Sequence, residues 1–153
     1  MSFIPNAELV ARAWLLAVIP GLAGKVATTL PDPPWDDDEF VQIMQVGGTP
    51  AIDTPVYQPV VSINCFAMKS GSANPPWGQA NQLAEQIRLA TYARRVRSEA
   101  GVLVTMPAGY GQALVLSVYP VSEPRRIPSD PSSYAVYNLD LQFNWTAASE
   151  VLA

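Results

Sequence analysis

The stretch from Pro59 to Ala100 constrains the fold more than any other. It opens with an apolar run, Pro59 to Met68, dominated by Val, Ile and Phe, residues that suit a pleated, half-buried surface. Val61, Ile63, Cys65 and Ala67 fall on one face of such a strand, and Val60, Phe66 and Met68 on the other. A turn-rich gap follows, Lys69 to Gly78, containing Trp77. The spacing of Ala80, Leu83, Ala84, Ile87 and Ala90 then predicts an amphipathic helix over Gln79 to Ala100, with Glu85, Arg88, Arg94, Arg95 and Arg97 left in water. A central strand feeding one long helix is the core of a small α+β domain, and nothing in that unit carries chemistry.

The remaining elements follow from the same periodicities. Asn6 is placed to cap a helix in which Leu9, Val10, Ala13, Trp14 and Ala17 form a stripe. Glu8 and Arg12 have the spacing of an ion pair, and Pro20-Gly21 ends the helix. Lys25 to Leu30 and Phe40 to Gly47 read as strands, and Gly47-Gly48 as a turn or bulge leading through residues 49–58 into an antiparallel partner. Val102 to Val104 is a short apolar piece, and Ala113 to Val121 is a strand. In the last strand, Tyr137, Leu139, Leu141, Phe143 and Trp145 alternate with Asn138, Asp140, Gln142 and Asn144, giving one buried face and one wet face. The expected fold is a single α+β domain over residues 1–153, with a mainly antiparallel sheet of four to five strands and two helices on one face.

Composition narrows the chemistry. The chain has 153 residues, 49% of them hydrophobic, with a net charge of −4. That is enough to bury a core, and the wrong sign for binding nucleic acid by neutralising phosphates. It has no histidine and one cysteine. Ser-His and Cys-His catalysis, His-ligated zinc and thiolate zinc clusters are thereby excluded. A lone cysteine in a predicted strand reads as a buried, inert thiol and points to folding in a reducing cytoplasm. The apolar run Ala13 to Ile19 is too short to span a membrane, and no targeting segment is expected. An enzyme would have to use carboxylates such as Asp53, Glu85 and Asp140, which lie in unrelated contexts. The glycines of Pro107 to Gly111 lack the lysine and the following helix of a phosphate loop. No catalytic residue, metal or cofactor is expected.

Candidate contact residues lie in proline-rich connections. Pro-Pro-Trp occurs at 33–35 and again at 75–77, without the matching flanks of a repeat. Trp35 and Trp77 are either lids on the core or anchors in an interface, where tryptophan is enriched. Asp36, Asp37, Asp38 and Glu39 are either a solvated loop or a divalent-metal site, although the alternating ligands of a calcium loop are absent. Arg125-Arg126 lies in the turn-rich segment Ser122 to Ser133. The acidic and basic runs could meet across a head-to-tail contact. The interface candidates are therefore Trp35, Asp36, Asp37, Asp38, Glu39, Trp77, Arg125 and Arg126.

The order helix, three strands, helix, strands, together with particular blocks, resembles the tail terminator proteins of long-tailed, siphovirus-type phages of actinobacteria. The blocks are Glu8 to Leu16, Val26 to Pro31, Phe40 to Ile43 leading into Val46-Gly47-Gly48, Val60 to Ala67, and the helix with Ala80, Leu83, Ala84 and Ile87. They cover roughly the first two thirds of the chain, and the last third matches only in element count. The resemblance implies a structural virion protein without catalytic residues, assembled in the host cytoplasm. Six copies would form a ring that caps the tail tube, stops its polymerisation and docks the head's connector. Its partners would be itself, the major tail tube protein and the connector or stopper protein. DNA would pass through the channel without specific binding, and no membrane is involved. The alternatives are a head-to-tail stopper or tube subunit, and a monomeric ligand-binding domain.

Overall fold

The computed structural model describes residues 3–69, 75–92, 101–128 and 134–147. The first helix, α1, spans Ala7–Val18, and Asn6 caps it by accepting a hydrogen bond from Leu9 N at 2.8 Å. A short 3-10 turn, Pro20–Leu22, ends it where the proline pair of constraints predicts. Of the stripe read from the sequence, Val10 and Trp14 are buried, Leu9 and Ala13 are half-buried and Ala17 is exposed, while Ala7, Ala11 and Leu15 complete the buried face. The reason is that α1 is apolar nearly all round, so periodicity alone cannot fix which face turns inward. Glu8 and Arg12 do not pair. Glu8 Oε2 accepts from Gln45 N at 3.1 Å, and Arg12 Nε donates to Val26 O at 3.2 Å.

The strands are β1 (Val26–Ala27), β2 (Glu39–Gly48), β3 (Pro59–Met68), β4 (Val102–Val104), β5 (Ala113–Pro120), β6 (Arg125–Arg126) and β7 (Tyr134–Ala147). Among the described residues they form one seven-stranded sheet in the order β1-β2-β3-β7-β5-β4, with β6 also pairing β7. This exceeds the expected four to five strands. The extra ones are two or three residues long, too short to show alternation in a sequence. All pairings are antiparallel except β1 with β2, where Val26 faces Val41.

The hairpin of β2 and β3 carries a bulge between Gln45 and Gly47, where the register shifts by one residue. At Gly48, with φ of 129°, a Cβ atom would lie 2.5 Å from Gln58 O, so the second glycine is required. In β5 a similar shift between Val115 and Ser117 changes which residues face inward. Ala113, Val115 and Val118 are buried, so simple alternation is broken there.

The second helix, α2, spans Trp77–Ala90 and buries the predicted Ala80, Leu83, Ala84 and Ile87. It ends at Ala90, with Thr91 and Tyr92 in a turn, short of the expected Ala100. Residues 93–100, with Arg94, Arg95 and Arg97, lie outside the described residues. Val61, Ile63 and Cys65 of β3 and Leu139, Leu141, Phe143 and Trp145 of β7 share one core with residues of both helices. Both helices therefore pack on one face of the sheet, as expected. α1 touches β2, β3, β4 and β5, so the sheet curls around it. Trp14 meets Phe143 edge-on at the centre, with ring centroids 5.5 Å apart.

Candidate assembly surfaces

The acidic run is built into the fold. Asp36–Asp38 forms a 3-10 turn in which Asp37 and Asp38 take positive φ, 56° and 57°. Asp tolerates that conformation better than most residues. The turn carries Asp37 and Glu39 to Lys25, whose Nζ lies 2.5 Å from Asp37 Oδ2 and 3.2 Å from Glu39 Oε1. Burial alone would lower the Lys25 pKa, but the bonds to Asp37 and Glu39 outweigh it and hold the ammonium above its ordinary value. Gln79 of α2 donates to Asp37 O at 3.0 Å and so ties the turn to the second helix. The run is solvated as expected at Asp36 and Asp37, but it is not a free loop. The run is a clasp, and Asp37 remains largely open to solvent while answering a buried lysine.

The two tryptophans also turn toward their own chain. Trp35 is buried against Phe40, Phe66 and Tyr134, and its Nε1 donates to Pro31 O at 2.9 Å. Trp77 is not in a loop but opens α2. It is half-buried against Tyr137, and the Arg126 guanidinium lies 4.9 Å from its ring centroid. Arg125 and Arg126 are likewise strand residues, paired with Asn138 and Tyr137 of β7 and exposed at the sheet edge. Of the two readings, lid on the core or interface anchor, both tryptophans take the first in this chain. Parts of two expected contact loops, residues 70–74 and 129–133, lie outside the described residues.

Two further surfaces lie outside the candidate contact residues. The first is the sheet face away from the helices, where a polar band crosses the central strands. Asn138 is buried and donates from Nδ2 to Ser62 Oγ at 2.7 Å and Asn64 Oδ1 at 2.8 Å. Asn144 donates to Ser117 Oγ at 2.9 Å. The Oδ1 atoms of Asn138 and Asp140 are buried without a hydrogen-bond partner among the described residues. The face expected to be wet is therefore partly closed by its own amide network.

The second surface is the outer part of the β2–β3 hairpin. From Met44 to Pro55 the chain is exposed almost throughout. Met44 is 55% exposed, Val46 52% and Ile52 96%. The base of this loop is held by Tyr57, which exchanges two backbone hydrogen bonds with Trp145 and stacks on its ring at 4.3 Å. Thr146 Oγ1 adds a bond to Pro55 O at 3.0 Å. A Gly-Gly bulge followed by proline and isoleucine was a signal of a projecting hairpin, but loop exposure has no periodicity to read.

The carboxylates weighed for an enzyme stand on separate elements. Asp53 is exposed in the hairpin loop, Glu85 pairs with Arg88 on α2 at 2.8 Å, and Asp140 is on β7. Among the described residues no group of three or more acids, cysteines or histidines could hold a metal ion. Nor is any described helix long and apolar enough to cross a membrane.

No protein-family model matches the chain, and no curated protein matches it. A solved structure similar to it, of a protein whose name states no activity, is 16% identical. It spans 90% of this chain and 95% of its own, with a TM-score of 0.41. A likeness of that degree leaves function open.

Proposed function

We propose that this chain is a structural subunit of a phage tail, forming a closed ring that caps the tube, ends its polymerisation and joins it to the head connector. The sequence blocks that resemble tail terminators support the reading. The observation that carries it is the exposed outer hairpin, with Met44, Val46 and Ile52 presented to solvent by a chain that buries Trp14, Trp35 and Trp145. Exposed apolar side chains on a projecting hairpin suit a contact with another protein, and others stand elsewhere on the surface, Phe3, Leu89 and Leu103 among them. A ring requires two different surfaces on each copy that close on themselves.

On this reading the ring has six copies, and its partners are the tube protein and the connector or stopper. The assembled particle sits at the tail neck of the virion, with DNA passing through its channel unbound. The particle mass in solution tests the proposal, measured by sedimentation or native mass spectrometry with and without tail tubes. A discrete closed multiple supports it. A monomer under every condition overturns it, and open-ended tubes of this chain alone would instead identify a tube subunit.

A further inference from the structure

We infer that the tip of the β2–β3 hairpin, Ile52-Asp53, seats in a groove between α1 and the β4 segment of a neighbouring copy. This inference rests on the ring reading and assigns its subunit contact. The groove has a volume of about 300 Å³ and is lined by Leu9, Ala13, Leu16 and Leu103 with Arg12 among them. Leu103 is 55% exposed, so apolar surface is left uncovered at its rim. Ile52 is 96% exposed and Asp53 is exposed beside it.

The two features complement each other in both respects that matter. An isolated aliphatic side chain faces an aliphatic hollow, and the acid next to it faces the one charged residue of the lining. Arg12 makes one hydrogen bond among the described residues, from Nε to Val26 O at 3.2 Å. That bond leaves the outer N–H groups of its fork for a carboxylate. Asp53 has no ion pair among the described residues. The tip and the groove share no residue, so each copy can offer its tip to one neighbour and its groove to the other. That is a heterologous contact, the kind that closes into rings.

The test is a set of variants followed by sedimentation, with thermal melts as the folding control. Ile52→Asp should raise the concentration at which half the chain is assembled by about tenfold or more, with its melt unchanged. Asp53→Arg and Arg12→Glu should each weaken assembly alone. Mixed in equal amounts they should assemble again, because each mismatched surface then meets its opposite on the other variant. Assembly by wild type and undiminished assembly by Ile52→Asp and Asp53→Arg would overturn this contact and leave the ring reading standing. Separate failure without recovery on mixing would overturn the charge pairing, and Asp53→Arg decides alone if Arg12→Glu does not fold. A wild-type chain that is monomeric with and without tubes overturns the ring reading and this contact with it.

Discussion

Lys25 and Asp37 join the start of the sheet to the acidic turn: Nζ stands 2.5 Å from Oδ2, the lysine side chain 8% exposed and the aspartate 77%. The pair is asymmetric, and the asymmetry sets what each substitution does. Lys25→Met removes a cation held by two carboxylates and leaves Asp37 and Glu39 facing each other. It should destabilise the chain by about 1–3 kcal/mol, read as a shift of the urea midpoint.

Asp37 itself is exposed, so its charge is screened and contributes little. Its backbone contributes more, because φ is 56°. Asp37→Ala should cost about 1 kcal/mol, mostly because alanine keeps the Cβ in the left-handed region but loses the local polar group that lets aspartate tolerate it. Asp37→Gly should cost less than Asp37→Ala, since glycine relieves the conformation while losing the same ion pair. Equal losses in the two melts would assign the effect to the side chain instead.

Stability should fall at alkaline pH, for two reasons of the same sign. Burial first, and the Glu39 carboxylate second, push the Cys65 thiol far above its ordinary range. The Lys25 ammonium is also held above its ordinary value. In both cases the folded state keeps a proton that the unfolded chain gives up, so the contribution is full below the unfolded pKa and lost as pH rises toward the folded one. The decline should begin near pH 8.5, where a free thiol ionises, and continue past about pH 10.4, where lysine follows. Cys65→Ala should flatten the first part of that slope in melts taken from pH 7 to 11, and an unchanged slope would remove the thiol from the account.

The tryptophans should separate by burial. Trp35→Ala empties a site walled by Phe40, Phe66 and Tyr134 and should cost about 3–5 kcal/mol. Trp77→Ala, half-buried under Arg126, should cost about 1–2 kcal/mol. Ile87→Ala, between α2 and the sheet, should cost about 2–4 kcal/mol. A loss of assembly in Trp35→Ala would then track its thermal melt rather than a missing surface contact.

These expectations separate what residue patterns carry from what they do not. The inward faces of β3, β7 and α2 follow from alternation and helical spacing, because each has polar residues on the opposite side to fix its phase. α1 lacks that contrast, and its pattern places only Val10 and Trp14 of the buried face. β4 and β6 are stabilised by neighbours rather than by their own pattern, and β1 is shorter, Val26–Ala27, than the pattern of Lys25 to Leu30 predicts. The acidic turn was legible only in part, for a related reason: its partner Lys25 lies 12 residues away on another element, and a charge run by itself does not name the charge that answers it. The hairpin tip stood in the sequence as Ala51-Ile52-Asp53, an apolar residue in a proline-flanked loop. Only the fold shows that it stands exposed among the described residues.

The ring reading stands or falls on tail assembly followed by electron microscopy, with and without this chain. Tubes that overgrow and stay headless when it is left out, and regain a fixed length and heads when it is added, are the predicted result, with Ile52→Asp restoring only part of that control. Tubes that end at their normal length and join heads equally well without the chain would contradict it.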